Sequence, residues 1–288
     1  MKSETKAIAA LVGSAFLWST GGVFIKLVDW NAFAIAGTRS LIASVVLLVY
    51  LKKPTFKCHF PLLAAAFSSA FTMILYVLAN KMTTAANTIL LQYTAPVYVA
   101  ILAWIILKEK PSIDNWIALF AIAAGMMLFF TGKLSSGNMT GNVLAVLSGV
   151  GLAFFTVFMR MQKGNSPFES FFLAHLITFV ISIPFIFKSN LPDASGWAGI
   201  FMLGIFQTGL ASLFFSYGIR QVPALKAMLV MTLEPILNPI WVFIFTGEAP
   251  GVYAVLGGVI IIGAVLFTTV YSAKKTRRHT RRIKSVSS

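Results

Sequence analysis

The chain has 288 residues, of which 58% are hydrophobic and 11% charged, with a formal net charge of +15 and a mean hydropathy of +0.86. Soluble domains carry about 25% charged residues, so this composition excludes a water-soluble fold and points to a polytopic helical membrane protein. Cys58 is the only cysteine, which excludes an internal disulfide and a thiolate metal cluster.

A helix of about twenty apolar residues crosses the hydrocarbon of a bilayer. Runs of that length predict ten spans, at 7–27, 32–51, 60–80, 84–107, 114–132, 140–160, 168–187, 197–217, 223–246 and 251–271. The first follows Lys2 and Lys6 like a secretory leader, but it outruns the usual apolar core and lacks a small-x-small cleavage site, so it reads as an uncleaved first helix. The connections are short and leave no stretch for a separate soluble domain. Any chemistry therefore belongs among the helices or in small loops.

With the amino terminus in the cytoplasm, one side of the membrane collects Lys2, Lys6, Lys52, Lys53, Lys57, Lys108, Lys110, Arg160, Lys163, Arg220, Lys226 and the seven cations of the tail KKTRRHTRRIK, Lys274 to Lys284. The other side receives Lys26, Lys81, Lys133 and Lys188. Short basic loops resist translocation, so both termini are expected in the cytoplasm. The tail reads as a topology determinant that touches anionic lipid. A nucleic-acid role is rejected because no stacking aromatics accompany the charges.

The chain also repeats itself. Tyr76 to Pro111 aligns without a gap on the segment that begins at Phe215: Lys81 meets Arg220, Pro96 meets Pro235, Glu109 meets Glu248 and Pro111 meets Pro250. Each copy then holds five spans, at 1–133 and 134–273, with 274–288 left as the basic tail. Five is odd, so the second copy enters the membrane from the opposite side. Such inverted repeats characterise secondary transporters, in which substrate sits near the midplane between the copies.

The ten spans, the Pro96 to Glu109 and Pro235 to Glu248 signatures, Arg39 in the second span and the region of Trp18 in the first resemble the drug/metabolite transporter superfamily, and within it the EamA-like branch of two tandem five-helix units. The resemblance covers residues from about 7 to about 271. It implies a carrier of the plasma or bacterial inner membrane, commonly an exporter of amino acids or other small metabolites. It does not name the cargo.

In chain order, the first candidates for a transport site are Trp18 and Ser19 in the first span. Arg39 lies about eight residues into the second, where it can snorkel to the interface, pair with an acid such as Glu234, or hold an anionic substrate group. Gln92 and Tyr93 precede Pro96 in the fourth span, where a proline opens the backbone. Small residues at Ala145, Gly149 and Ala153 in the sixth and at Ala121 and Gly125 in the fifth read as close helix contacts. His175, Thr178 and Ser182 form a polar stripe in the seventh span; the histidine is either a proton relay or, more commonly for a lone buried histidine, a hydrogen-bonded packing element. Gln207 supplies an amide in the eighth.

The ninth span carries the only deep carboxylate. Glu234 sits about eleven residues in, near 16 Å at 1.5 Å per residue, and an ionisable group at that depth costs about 2.5–3.5 kcal/mol unless it faces a cavity or a partner. Glu234, Asn238 and Trp241 share one helix face. Pro235 and Pro239 lack amide hydrogens, which frees the carbonyls of Met231 and Pro235 and kinks the helix. The repeat mate of Glu234 is Ala95, so the carboxylate has no twin. Glu109 and Glu248, at helix ends, read as ties between neighbouring helices.

The expected function is a secondary transporter that exports small metabolites such as amino acids by alternating access, with Glu234 as a proton or cation site. The rival is an uncoupled facilitator or channel for small neutral or zwitterionic solutes. An enzyme is not expected: one deep acid assembles neither a diacid nor a metal centre, and no HExxH or GxSxG pattern occurs. No cofactor or metal is expected. The partners are a small-molecule substrate and membrane lipid, and the chain is a monomer or homodimer.

Overall fold

The computed structural model describes residues 2–53, 59–83, 85–129, 131, 138–162, 166–246, 252–253, 255–264 and 267. Cys58, Glu248, Pro250 and the basic tail lie outside these residues, as do the side chains of Asn238 and Pro239. Among the described residues the regular structure is entirely helical. Helix α1 runs Lys2–Trp18 and resumes at Gly21–Leu27; α2 is Ala32–Leu51 and α3 Phe60–Met82. Helix α4 comprises Ala85–Gln92, Ala95–Leu102 and a wider-wound end at Ala103–Leu107, followed by α5, Ile113–Phe129. Helix α6 is Met139–Met161 and α7 Ser166–Lys188. Helix α8 joins Ala194–Phe201, the wider-wound Met202–Leu210 and Ala211–Ile219; α9 joins Ala224–Met231 and Leu233–Thr246; α10 is seen over Val255–Ala264.

Seven of these stretches are long and apolar enough to cross a membrane, while α5 and α10 are seen over shorter apolar lengths. Helix starts follow from side chains that satisfy orphan amides. Asn31 Oδ1 accepts from the amides of Phe33 and Ala34, and Asn138 Oδ1 from those of Thr140 and Gly141. Asp193 Oδ1 accepts from Gly196 at 2.8 Å, and this amide together with the Ser195 hydroxyl holds the carboxyl below the usual carboxylate range. Large apolar side chains such as Phe67, Phe71, Phe120, Met127 and Val180 face outward, as a surface in contact with lipid tails requires.

The packing reproduces the internal repeat. Exchanging each helix for the one five places along converts α3 against α6 into α8 against α1, α3 against α7 into α8 against α2, and α4 against α6 into α9 against α1; all six pairs are packed. Helices α2 and α7 pack on each other and so do α4 and α9, each pair being its own counterpart. Helices α5 and α10 meet where Gly125 faces Ile261. The small-residue stripe of α6 also serves close approach: Ala145 and Ala153 are fully buried, and a Cβ on Gly149 would lie 2.7 Å from the Gln92 carbonyl oxygen of α4.

The two connections related by the repeat are held by different chemistry. At the end of the molecule where α1 begins, residues 220–223 between α8 and α9 and the first turn of α9 are tied by charges. Lys226 Nζ bonds Glu4 Oε1 at 2.7 Å. Glu109 accepts from Arg160 Nε at 3.0 Å and from the Ala224 amide at 3.0 Å, while Arg160 Nη1 reaches the Arg220 carbonyl at 3.1 Å. Ser3 also hydrogen bonds Gln221. Glu109 thus ties α4, α6 and the start of α9. At the opposite end, the connection between α3 and α4 relies on neutral side chains and lysines on carbonyls. Asn142, in the first turn of α6, accepts from Thr83 Oγ1 at 2.9 Å and from Asn87 Nδ2 at 3.2 Å. Lys26 Nζ donates to the Thr83 carbonyl and Lys81 Nζ to that of Val28.

The α4–α6 contact gives a stability test. Gly149→Ala forces a methyl against a backbone carbonyl and is expected to cost about 1–3 kcal/mol, read as a lower melting temperature of the purified protein. Gly263→Ala, where nothing lies within 4 Å of the added Cβ, is expected to leave the melting temperature unchanged or raise it.

Candidate functional site

The site begins with two broken helices. Helix α4 is interrupted at Tyr93–Thr94 and α9 at Thr232, and Tyr93 and Thr232 are mates under the offset that pairs Pro96 with Pro235. In each break a threonine hydroxyl turns back to the carbonyl three residues earlier, Thr94 to Leu91 at 2.7 Å and Thr232 to Leu229 at 2.6 Å. Pro96 and Pro235 deprive the carbonyls four residues before them, of Gln92 and Met231, of their helical donors. The Gln92 carbonyl faces Gly149. The Met231 carbonyl accepts from Tyr93 Oη, which comes across from α4 at 2.8 Å. The same phenol oxygen lies 2.5 Å from Glu234 Oε2, so one hydroxyl joins the freed carbonyl and the carboxyl of α9 to the break in α4.

Glu234 opens onto a cavity between the helices. It stands ten residues beyond Ala224, about 15 Å along the helix, and is 7% exposed. The polar wall is formed by Arg39 of α2, Gln92 of α4, Gln207 and Thr208 of α8, and Ser69, Thr72 and Tyr76 of α3. Trp18, Met73, Leu152, Phe155 and Phe171 make the apolar wall. Phe155 and Phe171 of that wall form a continuous aromatic cluster with Phe215, with ring centroids 4.9 to 6.0 Å apart, and Trp18 stacks on Phe215 at 5.3 Å. Both repeats therefore contribute to one mid-depth chamber.

Arg39 is 3% exposed and forms no ion pair among the described residues. Its Nη1 donates to Gln207 Oε1 at 3.1 Å, an oxygen that also accepts from Thr208 Oγ1 at 2.8 Å. Its Nε has no partner among the described residues. No ion pair joins Arg39 to Glu234, although both line the cavity. The chamber thus offers a guanidinium with an unused donor, a carboxyl, two primary amides and several hydroxyls around an aromatic floor. Such a constellation suits the capture of a small polar molecule with an apolar part.

Of the residues singled out in the sequence, Trp18, Arg39, Gln92, Gln207 and Glu234 line the chamber, and Tyr93 touches it through Glu234. Ser19 and Trp241 do not line it. They bond each other, Trp241 Nε1 to Ser19 Oγ at 2.7 Å, and Trp241 meets Phe16 edge to face, so this pair ties α9 to α1. His175 is fully buried outside the wall, stacked on Phe171 with Nε2 3.3 Å from Ser212 Oγ. Thr178 and Ser182 turn their hydroxyls back to carbonyls of their own helix. Pro96 and Pro235 lie in the first turns after the breaks, while the side chains of Asn238 and Pro239 fall outside the described residues.

Sequence reasoning missed Ser69, Thr72 and Tyr76. They recur at i, i+3 and i+7 and form a polar stripe on α3 of the same kind that drew attention to His175, Thr178 and Ser182. Thr208 was hidden beside Gln207. Among the described residues no group of three or more histidine, cysteine, aspartate or glutamate side chains is placed to hold a metal ion.

Comparison with known proteins adds to this geometry. The model of the EamA-like transporter family matches residues 5–131 and again residues 139–270. An uncharacterized transporter of Archaeoglobus fulgidus is 25% identical over 261 residues, covering 90% of this chain and 94% of that protein. The uncharacterized transporter YwfM of Bacillus subtilis is 23% identical over 290 residues, covering 96% and 98%. Human solute carrier family 35 member G1 is 27% identical over 278 residues, covering 87% of this chain and 75% of that protein. A solved structure described only as the crystal structure of a protein superposes with a TM-score of 0.80 at 17% identity, over 94% of this chain and 99% of that one, and so shares the fold.

The Arg39 contact generates a prediction. Gln207→Leu leaves the Nη1 donor and the Thr208 hydroxyl without their shared acceptor and is expected to destabilise by about 1–3 kcal/mol. Gln207→Glu supplies a carboxylate at the same reach and is expected to restore the melting temperature.

Proposed function

Because the chain belongs to the EamA-like transporter family, within the drug/metabolite transporter superfamily, we propose that it is a secondary transporter exporting small metabolites such as amino acids by alternating access. Glu234 is the proton site of this cycle. The observation that carries the reading is the placement of Glu234: a carboxyl 7% exposed, on the wall of a chamber between the two repeats, beside a helix break and without a cation paired to it. An acid kept at such depth serves a pathway for protons or substrate. Arg39, Gln92 and Gln207 hold the polar end of the cargo, and Trp18, Phe155 and Phe171 hold its apolar part.

The positive-inside distribution supports the plasma or bacterial inner membrane with both termini cytoplasmic, and the basic tail meets anionic lipid there. The end of the molecule bearing Glu4, Glu109 and Lys226 is then the cytoplasmic one. No enzymatic step belongs to this reading, and no nucleic acid takes part.

Metabolite profiles of medium and cytosol from cells with and without the protein identify the cargo, which is then followed in proteoliposomes. An imposed pH gradient is expected to drive accumulation, and Glu234→Gln to reduce gradient-driven flux about tenfold or more while exchange at equal pH persists. Equilibration without accumulation in the wild-type protein would instead identify an uncoupled facilitator.

A further inference from the structure

We infer that Tyr93 is the positioning residue that converts the protonation of Glu234 into a change in the packing of α9 against α4; this rests on the reading of Glu234 as the proton site. A phenol has a single hydrogen to donate. In the structure its oxygen lies at hydrogen-bond distance from two groups at once, the Met231 carbonyl at 2.8 Å and Glu234 Oε2 at 2.5 Å. A backbone carbonyl only accepts. Both contacts are hydrogen bonds only when the carboxyl carries the proton: Glu234 O–H donates to Tyr93 Oη, and Tyr93 O–H donates to the Met231 carbonyl.

When Glu234 releases that proton to water in the chamber, its carboxylate becomes the stronger acceptor and takes the phenol hydrogen. The Met231 carbonyl then loses its donor. Pro235 supplies no amide to replace it, so the break in α9 is held to α4 by one contact fewer. Loss of a donor to a buried carbonyl is a free-energy difference between two helix arrangements, which is what an alternating carrier needs from its coupling site. The two breaks are mates in the repeat, yet only α4 carries the tyrosine and only α9 the acid, so the asymmetric pair spans the interface about which the repeats move.

Among the described residues, the titratable and charged groups around Glu234 are Tyr93 of α4, Tyr76 of α3 and Arg39 of α2, the last two on the chamber wall. Helices α1, α6 and α8 contribute uncharged side chains to that wall. Of the cations on α9 itself, Lys226 is two turns away and paired with Glu4. His175 of α7 stands off the wall, stacked on Phe171. Tyr93 is thus the group whose single hydrogen is shared between the carboxyl and the helix backbone.

The test uses the purified full chain in lipid nanodiscs, without substrate. Infrared titration follows the carboxyl stretch of Glu234, identified by its absence in Glu234→Gln. Hydrogen exchange, corrected for the intrinsic effect of pH, follows the amides of residues 228–234. The wild-type protein is expected to lose about three- to tenfold in protection on passing from acid to alkaline pH, the worth of one hydrogen bond. Glu234→Gln, whose amide still donates to the phenol, is expected to stay protected at both. Tyr93→Phe is expected to keep a titrating carboxyl band, shifted in frequency, with low protection that no longer depends on pH. A Tyr93→Phe protein that retains the wild-type pH dependence of protection overturns the inference. Absence of any titrating carboxyl band in the wild-type protein would instead overturn the proton-site reading beneath it.

Discussion

A carbonyl that proline leaves without a donor has to be satisfied where no bulk water is at hand. That constraint shapes the centre of this molecule. In hydrocarbon the backbone must close its own hydrogen bonds, and the Met231 carbonyl freed by Pro235 is met by a phenol from the opposite repeat. The Gln92 carbonyl freed by Pro96 packs close to Gly149 of α6, whose lack of a side chain makes room for it. The phenol draws α4 and α9 together at their weakest points, and the carboxyl of Glu234 shares it. Break, polar group and chamber are therefore one construction.

The chamber's charges follow from the same setting. A guanidinium without an ion pair is costly in a low-dielectric wall, and Arg39 meets that cost with the Gln207 oxygen, itself stabilised by Thr208. This arrangement leaves Nε unused and keeps Arg39 and Glu234 apart. A direct pair between them would have neutralised both groups in place. Separated, the two groups stand on one chamber wall without pairing, and Phe155 and Phe171 of the same wall pack with Phe215.

Much of this was legible in the chain. Long apolar runs located the first nine spans closely, because burying about twenty apolar residues in lipid leaves little freedom in where a span lies; the ends of the tenth fall outside the described residues. The matched prolines of Tyr76–Pro111 and its partner segment located both helix breaks, since a missing amide is a covalent fact. Glu234 stood out because one acid in an apolar run has few harmless places to go. Less was readable where the outcome depends on rotation about a helix axis or on contacts between distant segments. Trp241 shares a face with Glu234 in sequence, yet two turns along it meets α1. His175 and Tyr76 come from similar polar stripes, and only the packing of α3 and α7 turns one toward the chamber and the other away. Nothing in the sequence placed Tyr93 within reach of the Met231 carbonyl, 138 residues further along.

The unequal chemistry of the two ends has a consequence for how such a protein evolves. A gene duplication that inserts its copies in opposite orientations reproduces geometry, but the membrane-insertion machinery does not treat both ends alike, because it retains cations on the cytosolic side. Under the proposed orientation, Arg160 and Lys226 first help hold their end of the nascent chain in the cytosol and are afterwards taken up by Glu109, Glu4 and the Arg220 carbonyl as fastenings. The far end uses asparagine and threonine, and its lysines Lys26 and Lys81 bond carbonyls in place of carboxylates. An inverted duplicate can thus keep its twofold shape indefinitely while its two mouths are bound to diverge in the chemistry that shuts them.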